Sequence, residues 1–174
     1  MTALSSANGP AAPTRTIAEF SRRHALDLLR FAYLLCGDRH RAEDLLQDVL
    51  LAMYRRFGDD LTLDNPIGYA RRSLANANVS WTRRSANREV VLQAIPDQAG
   101  PDGDDPAQRD VLWQALRKLP VRQRTVLVMR FYADATDHEI AAALGCRRGT
   151  VRSLASRGLA LLRTDPSISE GGDR

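Results

Sequence analysis

The sequence predicts an all-α protein built as two small helical domains joined by a flexible linker. Apolar residues recur at spacings of three and four through both halves of the chain, and no stretch alternates apolar with polar residues over a convincing length. Aromatic residues make up only 6% of the 174 residues while Ala, Leu and Arg abound, which favours helix over sheet. Between the halves, Ile95-Pro-Asp-Gln-Ala-Gly-Pro-Asp-Gly-Asp-Asp-Pro106 holds three prolines, two glycines and four aspartates. That composition denies helix and strand and keeps the chain solvated. The expected organisation is a disordered leader over 1–14, a helical domain over 15–89, an acidic tether over 90–107, a second helical domain over 108–164 and a disordered tail over 165–174.

In the first half, Ile17, Phe20, Leu28, Phe31, Ala32 and Leu35 mark the buried stripe of a helix that stops at Cys36-Gly37. Asp38 opens a second helix, whose stripe is Ala42, Leu45, Leu46, Val49, Leu50 and Met53. Asn65-Pro66 starts a third, with proline in the first turn where its missing N–H costs nothing. Ile67, Ala70, Leu74, Ala77 and Trp81 form its stripe.

In the second half, Val111, Leu112, Ala115, Leu116 and Leu119 define a helix that Pro120 interrupts. Val121–Tyr132 forms the next, with Val126, Leu127, Met129 and Phe131 expected in the core. After the turn Ala133-Asp134-Ala135, Thr136 and Glu139 have the spacing of a capping box. Ile140, Ala143 and Leu144 follow, Gly145 stops that helix, and a last one runs from about Arg148 to Leu162 on Val151, Ala155, Leu159 and Leu162.

Composition excludes several classes. The two cysteines, Cys36 and Cys146, stand far apart without a Cys-x-x-Cys partner, which argues against a disulfide framework and for a reducing cytoplasm. His24, His40 and His138 are scattered, so no metal or cofactor is expected. No nucleophile elbow or phosphate-cradling glycine loop is present, and an enzyme reading has no support. No apolar run reaches the length of a membrane span, so no membrane insertion is expected.

Three faces remain as candidates. The last two helices have the pattern of a helix-turn-helix. The second of them presents Arg147, Arg148, Thr150, Arg152, Ser153, Ser156 and Arg157, with no acidic residue from Arg147 through Arg163. Arginine forks match guanine edges, and hydroxyls reach phosphates or bases. A solvated helix in a bundle is the plain alternative, though such helices normally mix Glu with Arg.

The second face lies in the third helix. There Tyr69, Asn76, Asn78 and Trp81 are interleaved with Arg71, Arg72, Arg83 and Arg84, again without an acid, a mixture suited to unpaired bases and their backbone. Trp81 equally continues the core stripe. The third face, on the second helix, joins Glu43, Asp44, Gln47, Asp48 and Leu51 with Arg55 one turn on. It suits a basic protein partner or simple solvent exposure.

These segments resemble the extracytoplasmic-function sigma factors. Arg41-Ala-Glu-Asp-Leu-Leu-Gln-Asp-Val-Leu-Leu-Ala-Met-Tyr-Arg55 is similar to their region 2.2, and Leu119-Pro-Val-Arg-Gln-Arg-Thr-Val-Leu-Val-Met-Arg-Phe-Tyr132 to region 4.1. Glu139-Ile-Ala-Ala-Ala-Leu-Gly145 with Gly149-Thr-Val-Arg-Ser153 is similar to region 4.2. The start Asn65-Pro-Ile-Gly-Tyr-Ala-Arg-Arg72 and the composition most resemble the SigE-like branch.

The resemblance implies a factor that directs core RNA polymerase to promoters. Asp44, Gln47, Asp48, Leu51 and Arg55 would face the β′ clamp helices, and the β flap would be a further polymerase contact. Tyr69 to Arg84 would open and read the −10 element of promoter DNA, and Arg147 to Arg157 would lie in the −35 major groove. Two weak contacts on one tether gain effective concentration when the tether spans them. An anti-sigma protein covering the same faces is the expected outside regulator. Two departures from the family stand out: Cys146 where a hydroxyl cap is common, and Gly158, which costs about 1 kcal/mol of helix relative to alanine.

Overall fold

A computed structural model describes residues 16–86 and 106–166, the side chains of 106–110 excepted. The expected leader, nearly all of the tether and the tail from 167 onward lie outside the described residues.

Helix α1 (Ile17–Cys36) starts at a reciprocal cap, in which the Thr16 hydroxyl accepts from the Glu19 N–H and the Glu19 carboxylate accepts from the Thr16 N–H. It ends on Gly37 at φ 73°, a left-handed stop open to glycine at little cost. Helix α2 (Arg39–Phe57) is capped by Asp38, whose carboxylate accepts from the Arg41 N–H at 2.7 Å. Helix α3 (Pro66–Ala86) opens with its proline in the first turn, and the Asn65 carbonyl oxygen Oδ1 accepts from the Gly68 N–H at 2.8 Å. Phe20, Leu28, Phe31, Leu35, Met53 and Leu74 are fully buried where the three helices meet. Fully burying a side chain of this kind contributes about 1.5–3 kcal/mol.

The second unit comprises α4 (Pro106–Arg117), α5 (Val121–Phe131), α6 (Asp137–Leu144) and α7 (Arg148–Arg163). Helix α4 thus begins two residues inside the expected tether. Val126, Met129, Ile140 and Val151 fill this core. The expected capping box is present, because Thr136 and Glu139 satisfy each other's backbone N–H groups at the start of α6. Asp134 carries the one positive φ, 50°, outside glycine among the described residues, in the turn that aims α6 away from α5.

Two expectations are corrected here. Phe131 is not a core residue: it is 63% exposed, on the last turn of α5, while Val126 through Met129 turn inward. The tail does not begin at 165 either. Asp165 is buried, and Lys118 Nζ donates to it at 2.7 Å, tying the end of α7 back to the end of α4.

The two units dock against each other. Trp113 of α4 lies over Gly37 and against Tyr33, with ring centroids 5.2 Å apart, and an added Cβ on Gly37 would overlap its ring. Tyr132 packs beside Phe31, with centroids 6.2 Å apart, and α3 lies against α5 and α6.

Candidate nucleic-acid and polymerase interfaces

Helix α7 supplies the most exposed polar face. Arg147, Arg148, Thr150, Arg152, Ser153, Ser156 and Arg157 are all exposed, while Val151, Ala155 and Gly158 on the opposite side are buried. Gly158 is a packing residue: a Cβ there would stand 2.9 Å from Leu127 Cδ1, so the glycine lets α7 close onto α5. Packing gives a reason for the glycine beside its cost to the helix. Arg147 occupies the N-cap position and makes no capping bond through its side chain. The first N–H groups of α7 are thus left without a side-chain cap beside the exposed Arg147 and Arg148, an arrangement favourable to phosphate. The Ser153 hydroxyl donates to the Gly149 carbonyl at 3.1 Å.

One acidic group enters this face from α6. Asp137 accepts from Arg130 Nη2 of α5 on one oxygen and from Arg152 Nε of α7 on the other, the latter at 3.2 Å. The hydrogen bond from Arg130 holds its carboxyl below the ordinary carboxylate range. Glu139 is also held low, chiefly by the N–H of Thr136. Sequence reasoning saw Glu139 as a cap and missed Asp137, because nothing in the chain shows that residues 137 and 152 meet.

The mixed face of α3 is divided by the fold. Asn76, Arg83 and Arg84 are exposed. Tyr69 is half-buried, with its ring edge-on to Phe57 at 5.3 Å and its hydroxyl oxygen accepting from Arg56 at 3.4 Å. Arg71 and Arg72 point to the seam between the units, where Arg71 pairs with Asp27 at 2.6 Å and Arg72 with Glu139 at 3.6 Å.

Asn78 is a correction. It is 1% exposed, and its Nδ2 donates to the Leu35 carbonyl at 3.3 Å, so it joins α3 to α1 and is not placed on a surface. An unpaired amide in that position would cost more than the bond itself is worth. Trp81 is half-buried, neither sealed in the core nor free, because the Arg41 guanidinium covers its ring 3.1 Å from the centroid.

On α2, Asp44, Gln47, Asp48, Leu51 and Arg55 are all exposed on one side. The structure adds what spacing did not show. An open groove of 940 Å³ runs between α1 and α2, and Leu26, Leu29, Leu51 and Tyr54 line it beside Asp44 and Gln47. Leu26 and Tyr54 are each about half exposed, so the acidic face borders an apolar strip. Partner surfaces combine features in this way, with apolar contact at the centre and charge at the rim.

Among the described residues no group of three or more His, Cys, Asp or Glu is placed to hold a metal, and no helix is long and apolar enough to cross a membrane. Cys36 sits at the seam, where burial pushes its thiol up.

Comparison with known proteins agrees with this arrangement. Residues 20–88 match the model for sigma-70 region 2, and residues 115–164 match that for sigma-70 region 4. The chain is 35% identical to the RNA polymerase sigma-E factor of Streptomyces avermitilis over 148 residues, covering 84% of this chain and 83% of that protein. It is 32% identical to the ECF RNA polymerase sigma factor SigL of Mycobacterium tuberculosis, covering 75% of this chain and 77% of that one. In fold it is similar to the sigma factor RpoE of Bartonella quintana, solved with the anti-sigma factor NepR. That match has a TM-score of 0.67 at 24% identity and covers 90% of this chain and 99% of the other. With regions 2 and 4 in order on two helical units, the chain belongs to the extracytoplasmic-function RNA polymerase sigma factors, in their SigE-like branch.

Proposed function

We propose that this sigma factor binds core RNA polymerase through α2 and recognises a promoter through α3 and α7, acting in the cytoplasm without catalysing a reaction of its own. The observation that carries the reading is the α7 face, where seven outward polar positions include four arginines and no acidic residue. Such a face neutralises phosphates, releasing the cations condensed on DNA, and presents donor forks to guanine. Asp44, Gln47, Asp48, Leu51 and Arg55 would meet the β′ clamp, with Leu26 and Tyr54 extending that contact. The apolar side of region 4 would meet the β flap.

On α3, Tyr69, Asn76, Arg83 and Arg84 would follow an unpaired −10 strand, and Trp81 would join them once Arg41 releases its ring. Arg71 and Arg72 require the seam to open. Asn78 would act only by holding α3 on α1. An anti-sigma protein as regulator is supported by the fold relative from Bartonella quintana, a sigma factor solved with the anti-sigma factor NepR.

Run-off transcription tests the reading. The purified chain, mixed with bacterial core polymerase and a pool of promoter fragments, is expected to give new start sites that share −35 and −10 elements. Duplex binding without any transcript would overturn it in favour of a regulator that binds DNA alone.

A further inference from the structure

The acidic residue of α6 that borders the α7 face is held from two sides. Asp137 opens α6 with its side chain 24% exposed, gripped from behind by Arg130 of α5. Its free oxygen accepts from Arg152 Nε, while the Arg152 side chain stays 73% exposed. We propose that Asp137 is a positioning residue for base readout: it fixes the Arg152 guanidinium by Nε, so that Nη1 and Nη2 point outward as a fork for one guanine. This rests on the reading of α7 as the −35 helix.

The geometry has a definite consequence for which donors remain. An arginine can offer a base either the Nε–Nη edge or the Nη1–Nη2 end. A carboxylate on Nε removes the edge and leaves the end, whose two N–H groups match guanine O6 and N7. An untethered arginine on an exposed helix loses rotamer freedom when it binds, whereas one already held loses less. Arg147, Arg148 and Arg157 show no such tie among the ion pairs of the described residues. They suit the phosphate backbone, where position matters less. Asp137 thus separates one base-reading arginine from its positioning neighbours. A negative charge beside the groove also penalises any pose that would bring phosphate there.

The test uses holoenzyme assembled from the full chain and core polymerase, transcribing a promoter library with a randomised upstream element. Wild type, D137A, D137N and R152A are compared by the base preference at each position. R152A is expected to flatten a guanine preference at one position. D137A should weaken the preference at that same position by about threefold or more, with D137N intermediate because a neutral amide oxygen still accepts from Nε. Preference at all other positions should hold.

If R152A flattens that position and neither Asp137 variant does, the positioning role is overturned while readout by Arg152 stands. Equal weakening at every position would mark Asp137 as a structural residue only and would overturn it too. If R152A changes nothing, readout by Arg152 falls and the positioning role falls with it. Should D137A fail to fold in thermal melts, the nearly isosteric D137N carries the comparison alone.

Discussion

The hydroxyl of Tyr132 donates to the Asp27 carboxylate at 3.2 Å, although the two residues stand 105 positions apart in the chain. The other oxygen of Asp27 takes Arg71 Nη2 at 2.6 Å, so one carboxylate on α1 holds both α3 and the end of α5. Burial, followed by the nearby Asp27 charge, pushes the Tyr132 hydroxyl up to about 12. The phenol therefore keeps its proton throughout the physiological range and remains the donor. The two units are fastened at Arg71, one of the residues proposed for the −10 contact.

Asp27→Ala is expected to loosen this seam. Both bonds are lost at a partly exposed site, which sets the cost at about 1 kcal/mol. Small-angle scattering of the free protein should show a larger radius of gyration than wild type. An unchanged radius would mean that the other contacts, among them Trp113 on Gly37, Phe31 on Tyr132 and Arg72 with Glu139, hold the units together without Asp27.

Gly37→Ala should be more damaging than Gly145→Ala, although both glycines are left-handed helix stops. At Gly145 nothing lies within 4 Å of an added Cβ, so the cost is the left-handed backbone alone, about 1–2 kcal/mol. At Gly37 the same strain is joined by displacement of the Trp113 ring. Urea melts of the two variants measure the difference, and equal midpoints would dismiss the ring contact as a source of stability.

Asp48→Arg reverses charge on an exposed position of α2. Its melting temperature should stay near wild type, while affinity for core polymerase falls by tenfold or more, about 1.4 kcal/mol. Retained affinity in a titration against core enzyme would remove α2 from the interface.

Acid should weaken the second unit through Asp137 and Glu139. Both carboxyls are held below their ordinary values in the folded chain. Their stabilising contribution is complete above the unfolded-state pKa and is lost as pH falls through the folded one. Wild type should therefore lose stability between about pH 5 and about pH 3 more steeply than a D137N/E139Q double variant. Parallel pH profiles of thermal melts would rule these two groups out as the cause.

Much of the local structure was legible because its signals are local. Asp38, Pro66 and the Thr136–Glu139 box announce helix starts, and Gly37 and Gly145 announce stops, all within a few residues of the groups they satisfy. The seven exposed positions on α7 follow from a stripe with the period of a helix.

What stayed hidden depends on distant partners. Asn78 looks like a surface amide until the Leu35 carbonyl, 43 residues away, is brought to it. Gly158 looks like a weak helix position until Leu127 comes within reach. Phe131 follows the apolar pattern of its helix, yet it falls on the final turn, where no element among the described residues covers it. Apolar periodicity locates a stripe but not where its cover ends.

The two tryptophans of the chain stand in settings that make them separate optical reporters. The Trp113 indole is enclosed by Gly37, Tyr33 and Arg124 at the seam, whereas the Trp81 indole is shielded by the Arg41 guanidinium. Parting of the units would expose the first to water and shift its emission to the red without disturbing the second. Capture of an unpaired base would displace the cation from the second and quench it by stacking. With one indole at a time replaced by phenylalanine, unlabelled protein would report in real time whether the seam opens before or after the promoter strand is seized.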